Sequence, residues 1–284
     1  MQVGPMRTKP RSRRIAGGAG VALLLALLAG PADAQFKTEV VTVDVRPGVT
    51  MKYLEIRGSE RPSATVILFA GGDGVLGLQT SGKIGTDLAL NFLIRSREHF
   101  VRAGLAVAAL DAASDRRSGM NGDVRLSAQH AQDVARVIAV LRSRIGTPVW
   151  LVGTSSGTIS AAGVAARLAS SEPRPDGIVL TSTQTTLTAG VCGRTVYYAP
   201  LAAICVPVLA VSHRDDGCPC SPGNAATGAK LMAALSGSSA KEHKVFAGGS
   251  PPLSKGPCLA RAPHGFFGIE GDVVKAIAEW IKKH

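Results

Sequence analysis

Pro148-Val149-Trp150-Leu151-Val152-Gly153-Thr154-Ser155-Ser156-Gly157-Thr158-Ile159-Ser160-Ala161-Ala162 decides how this chain is read. An apolar run too short for a helix enters a glycine, and a small-residue helical stretch leaves it. Between them stands Gly-x-Ser-x-Gly, centred on Ser155. A strand that turns at once into a helix has no room for a Cβ two residues either side of the turn, which is where the glycines fall. The turn pushes the serine Oγ out at the carboxyl end of the strand. It also aims the backbone N–H of Ser156 at whatever the serine attacks. The frame is fixed, because Ser156 as nucleophile would need glycine at 154 and 158, and both are threonine. Alone, the motif is five common residues in a turn; the strand before it and the helix after it give it meaning.

On either side of this stretch, strands alternate with helices. Residues 39–45 and 51–56 alternate around Arg46-Pro47-Gly48 and read as a hairpin. Residues 64–70 are a continuous apolar run, the pattern of a strand buried on both faces, and it enters Gly71-Gly72-Asp73-Gly74. Residues 96–103 read as a short helix with a serine cap and a glycine stop at Gly104. Residues 105–110 form the next strand, ending in Asp111. Val134, Val137, Ile138, Leu141 and Ile145 fall at helical spacing before the organising strand. Further strands are expected at 177–181, 207–212 and 243–246, and Val273, Ile277 and Ile281 mark a last helix. The pattern predicts an α/β fold with a mostly parallel sheet of about eight strands, covered by helices on both faces. Only about 25 residues separate the strands at 177–181 and 207–212, so any cap is small or absent.

The first 34 residues read as an address. Arg7, Lys9, Arg11, Arg13 and Arg14 precede an apolar run at 15–28, and Ala32-Asp33-Ala34 offers a cleavage site before Gln35. The run is short of the ~20 residues that span a bilayer, and an uncleaved anchor is the alternative. Ser12-Arg13-Arg14 hints at twin-arginine export but lacks the apolar residues that usually follow. The expected protein is exported, periplasmic or secreted, with one domain at 35–284 and no membrane span after cleavage. Removing 1–34 takes five of the 32 Lys/Arg and one of the 20 Asp/Glu, leaving a formal charge of +8. Those basic residues are scattered and aromatics are only 4% of the chain, so a nucleic-acid surface is not expected. All five cysteines lie at or after position 192, and an oxidising compartment permits disulfides among them. Cys218-Pro219-Cys220 does not have zinc-ligand spacing.

A serine hydroxyl needs a base to activate it and a third group to orient that base. Past the strand at 207–212 come His213, Arg214, Asp215 and Asp216, at the sheet edge that would carry Ser155. His264 sits in Ala262-Pro263-His264-Gly265, entering the last helix. His99 and His130 lie on helical stretches, His243 begins a strand, and His284 is the terminus.

The ordered trio of elbow serine, acid after a later strand, and His-Gly near the end resembles the α/β-hydrolase superfamily over most of the chain after residue 34. The resemblance implies that Ser155 is the nucleophile, His264 the general base and Asp216 the acid, with Asp215 the alternative by one register step. It implies an oxyanion site from the Ser156 N–H and the N–H of Gly72 or Asp73. The Asp73 carboxylate is then expected to point away. It further implies that Cys218 and Cys258 bridge the acid and base loops, and that Cys192 and Cys205 staple the 184–204 interval, leaving Cys220 free. No metal or organic cofactor is called for, and the implied substrate is a small acyl compound. His213 is expected to be structural or to line the pocket. The loops 71–94 and 184–204 are expected to shape that pocket, with Asn91 and Arg95 as further candidates. Beside an exported carboxylic-ester hydrolase stand three other readings: an amide or peptide hydrolase using the same triad, a binding protein that kept the fold without turnover, and a basic surface-binding module.

Overall fold

In a computed structural model of the chain, residues 1–6, 9 and 36–284 are described. The apolar run and cleavage site of the expected leader lie outside them. The chain divides into two units, Met1–Ala34 and Gln35–His284, and the sheet belongs to the second. Among the described residues no helix is long and apolar enough to cross a membrane.

The elements run β1 (Lys37–Arg46), β2 (Val49–Arg57), β3 (Thr65–Phe69), α1 (Phe92–Arg95), α2 (Arg97–Arg102), β4 (Ala106–Leu110), α3 (Gly122–Leu126), α4 (Ala128–Ile145), β5 (Val149–Thr154), α5 (Gly157–Arg167), β6 (Gly177–Thr181), β7 (Val208–His213), α6 (Ala225–Ala234), β8 (Lys241–Phe246) and α7 (Glu270–Lys283). One sheet of eight strands has the order β1-β2-β4-β3-β5-β6-β7-β8. The first hairpin is antiparallel and meets β4 antiparallel; every later pairing is parallel. Parallel strands bring their carboxyl ends to one edge, and β5 lies between β3 and β6. The turn after β5 therefore opens at the middle of that edge, where ligands of parallel sheets bind.

Alternation along the strands feeds two cores. Ile67, Phe69, Leu151, Ile178 and Leu180 pack with Val134, Val137, Leu141 and Ile159 of α4 and α5. Val66, Leu68, Trp150, Val152 and Val179 pack with Phe92, Phe100, Val274 and Ile277 of α1, α2 and α7. Burial on both faces is why these strands read as unbroken apolar runs.

Three elements differ from expectation. The helix expected at 96–103 is α2, Arg97–Arg102, and a further short helix that sequence reading missed, α1 at Phe92–Arg95, runs into it at Ser96. Ser96 holds the N-cap position of α2 without a side-chain cap hydrogen bond, whereas Asn91 caps α1, accepting from Leu93 N–H at 3.2 Å. The elbow helix, its small-residue stretch expected to run to about residue 170, ends at Arg167. Helix α6, Ala225–Ala234, is rich in alanine and shows no polar–apolar period by which sequence reading could find it.

Candidate active site

Ser155 sits between β5 and α5 with φ +53°, in the left-handed region. That conformation costs a non-glycine residue roughly 1–3 kcal/mol and must be held by its surroundings. Ser155 N–H donates to the Thr181 carbonyl at 3.0 Å, and the Thr158 hydroxyl donates to the Ser155 carbonyl. A Cβ on Gly153 would come within 2.5 Å of the Gly157 carbonyl oxygen, and one on Gly157 would collide with the Phe69 carbonyl. The two glycines thus let strand and helix meet closely against β3.

His264 lies in the 3-10 turn Pro263–Gly265 ahead of α7. Its backbone is gripped on both sides. The Ser182 hydroxyl donates to the His264 carbonyl at 2.7 Å, and Arg95 Nη2 donates to the Gly265 carbonyl at 2.6 Å. The imidazole Nδ1 is 2.9 Å from Asp216 Oδ2. Asp216 Oδ1 accepts from Cys218 N–H at 2.9 Å, so both carboxylate oxygens are occupied. A carboxylate only accepts, so Nδ1 is the protonated nitrogen and Nε2 presents a lone pair. That Nε2 is buried and has no hydrogen-bond partner among the described residues. His264 and Ser155 line one cleft of ≈ 220 Å³, together with Gly71, Gly72, Asn91 and Leu259. Such hydrogen bonds are often open in the free protein and close when a ligand enters.

Asp215 is placed elsewhere. It is exposed and pairs with Arg214 at 3.1 Å, which holds its carboxyl below the usual range. Its backbone N–H donates to His213 Nδ1 at 3.0 Å. That makes Nε2 the protonated nitrogen of His213, donating to the Gly248 carbonyl at 2.9 Å. Buried His213 therefore braces the loop that carries Asp216, and the cleft does not include it.

No family model matches the sequence, and no curated protein sequence does. Solved structures do match in three dimensions. The Pyrococcus furiosus esterase Pf2001 aligns with a TM-score of 0.56 at 13% identity, covering 89% of this chain and 94% of that one. XC6422 from Xanthomonas campestris, described as an α/β serine hydrolase without lid, aligns at 0.53 and 12% identity over 87% and 94%. TT1662 from Thermus thermophilus aligns at 0.53 and 20% identity over 87% and 98%. The chain has the α/β-hydrolase fold.

In this α/β-hydrolase fold the loops that carry Asp216 and His264 are tied covalently: Cys218 is bonded to Cys258, and Cys258 forms part of the cleft wall. The second expected pairing is corrected. Cys192 is bonded to Cys220, and Cys205 is free and exposed. Cys205 leads into the start of β7, whereas Cys218 and Cys220 follow its far end and Cys192 is bonded there to Cys220. The six residues of β7 separate the two edges by about 20 Å, several times the reach of a disulfide. The sulfurs of Cys218, Cys220 and Cys258 lie within 4.8 Å of one another. Both disulfides draw on them, so this cluster offers a metal no thiolate.

The loop 71–94 contributes to the cleft, but 184–204 does not. The Cys192–Cys220 bond and the Thr185 and Thr186 N–H groups, both donating to the Cys220 carbonyl, fasten that interval against the acid loop instead. Asn91 lines the cleft, whereas Arg95 faces away and clamps Leu90, Gly265 and Glu270. The Asp73 carboxylate accepts from Val75 N–H at 3.0 Å, turned into its own loop. Gly72 lines the cleft and Asp73 does not. The Ser156 hydroxyl donates to the Gly72 carbonyl at 2.8 Å, joining the elbow to this loop. Sequence reading missed Arg125 altogether. It is 1% exposed, and its Nη2 reaches the Gly72 carbonyl at 3.1 Å.

Proposed function

We propose that the protein is an exported serine hydrolase that cleaves carboxylic esters through an acyl-enzyme. The observation that carries this reading is the hydrogen-bonded Asp216–His264 pair, whose second imidazole nitrogen is unpartnered in the protein and belongs to the cleft that holds Ser155. Fold neighbours described as an esterase and a lidless serine hydrolase support it. His264 Nε2 takes the Ser155 proton as Oγ attacks the acyl carbonyl. Asp216 keeps the imidazole in the right tautomer and stabilises the imidazolium. The Ser156 and Gly72 N–H groups receive the oxyanion, and loss of one such donor costs about 3 kcal/mol of barrier. His264 returns the proton to the leaving alkoxide. A water, deprotonated in turn by His264, then releases the acid and restores Ser155.

The cleft of ≈ 220 Å³ is below the roughly 300–1,000 Å³ of drug-sized sites, which supports a small acyl group. Residues 1–34 act as the cleaved leader in this proposal, and the two disulfides suit an oxidising compartment. The test compares a 4-nitrophenyl ester and the matched 4-nitroanilide on the purified protein and on Ser155→Ala. Ester turnover that falls ~10⁴-fold or more in Ser155→Ala is expected. Faster anilide than ester turnover refutes the ester assignment, and turnover that survives Ser155→Ala refutes the mechanism.

A further inference from the structure

Among the described residues, the buried Arg125 guanidinium makes no ion pair. It is 1% exposed, and its hydrogen bonds all go to neutral oxygens. Nε donates to the Met120 carbonyl at 3.2 Å and Nη1 to Ser160 Oγ at 3.0 Å. Nη2 donates to the Ala70 carbonyl at 3.4 Å and the Gly72 carbonyl at 3.1 Å. Burial lowers its pKa to about 10, against the opposing effect of the Asp73 charge, so it is still charged at neutral pH. Burying a charge without a partner is costly, and apolar residues of similar volume often serve a core better. A guanidinium in this place therefore calls for a use beyond packing.

The use lies in which carbonyls it holds. Ala70 and Gly72 flank the peptide unit between Gly71 and Gly72. Two adjacent glycines have little of their own to stop that unit from flipping. Arg125 grips the carbonyl on each side of it. The Gly71 carbonyl accepts from Gly74 N–H at 3.1 Å, and in a trans peptide the N–H of Gly72 points opposite to that carbonyl. The loop also wraps the guanidinium closely, since a Cβ on Gly74 would sit 2.7 Å from Arg125 Nη2. Ser160, the acceptor for Nη1, lies on the helix that follows Ser155. One side chain thus ties the 70–72 loop to the helix that follows Ser155.

We propose that Arg125 is a positioning residue for the oxyanion site, locking the 71–72 peptide so that the Gly72 N–H serves the cleft and keeping a fixed positive charge behind it. The inference rests on the serine-hydrolase reading. The test uses Arg125→Met, which keeps volume without charge, and Arg125→Lys, which keeps charge without the two-pronged grip. Competent sites are first counted by stoichiometric fluorophosphonate labelling, and kcat is then expressed per labelled site. Arg125→Met is expected to lower kcat roughly 30- to 300-fold with KM within about 3-fold, and to weaken a trifluoromethyl ketone inhibitor by a similar factor. Arg125→Lys falls between it and wild type. Unchanged kcat per labelled site in either folded variant overturns the proposal, because a structural role would lower only the melting temperature and the labelled fraction. Failure of both variants to fold overturns it too, since Arg125 would then hold the domain rather than the loop. Absence of label on folded wild type is a different result and sinks the hydrolase reading itself.

Discussion

Asp216→Asn separates charge from shape at the acid position. Asp216 Oδ1 accepts from Cys218 N–H at 2.9 Å, and Oδ2 faces His264 Nδ1 at 2.9 Å. An asparagine in the same place must give its oxygen to Cys218 N–H, because its NH₂ cannot accept. The NH₂ then faces Nδ1, which has to become the acceptor. The imidazole proton moves to Nε2, and the nitrogen that should take the Ser155 proton is already occupied. A wrong tautomer of this kind costs on the order of 10⁴ in kcat, or about 5 kcal/mol of barrier. Shape and hydrogen-bond count are conserved, so the melting temperature should move little. Asp215→Asn is the control: its carboxylate pairs with Arg214 at the surface, and kcat should stay within about 2-fold. Steady-state ester hydrolysis with melting curves for both variants checks this. Asp216→Asn within 10-fold of wild type, or a large loss in Asp215→Asn, would refute the assignment of the acid.

Replacing Cys218 and Cys258 together by serine removes a cross-link closing a loop of sequence separation 40; denaturant melts should show a loss of about 4 kcal/mol, with kcat falling as well. Cys205→Ser should leave both unchanged, because that thiol is free and exposed. Burial, with a smaller contribution from the Arg125 charge, holds the His130 pKa down at about 3. The unfolded chain takes up that proton near pH 6.5, so stability is whole above pH 6.5 and declines as pH falls toward 3. His130→Leu should flatten this acid limb by about 2 kcal/mol between pH 6.5 and 5, read as the difference between urea melts at the two values. Gly157→Ala puts a Cβ against the Phe69 and Ala70 carbonyls and should cost about 1–3 kcal/mol in thermal melts, with a loss of kcat.

The parts of this molecule that sequence made plain are those in which one residue type has one physical use. Gly153 and Gly157 mark a turn that admits no Cβ, and the apolar runs of β3 to β7 mark strands covered on both faces. Their order placed Ser155, the acid loop and His264 on one sheet edge. What stayed hidden depends on position rather than type. Asp215 and Asp216 are adjacent and chemically equal; only the direction each side chain takes, one to Arg214 and one to His264, tells them apart. Cys192 chose Cys220 over Cys205 because a strand length lies between the two edges. Arg125 occupies α3, a helix of five residues too short to show a period, so nothing in the sequence says that it points inward. The interval 184–204 is drawn against the acid loop by a disulfide that sequence reading had assigned to another partner.

The central claim is that Ser155 is an activated nucleophile. Its most direct measurement is labelling of the purified, oxidised protein with a fluorophosphonate, followed by peptide mapping. One label per chain on Ser155 is expected, retained in Ser156→Ala and absent from folded Ser155→Ala. Label on another residue, or none on folded wild type, would contradict it.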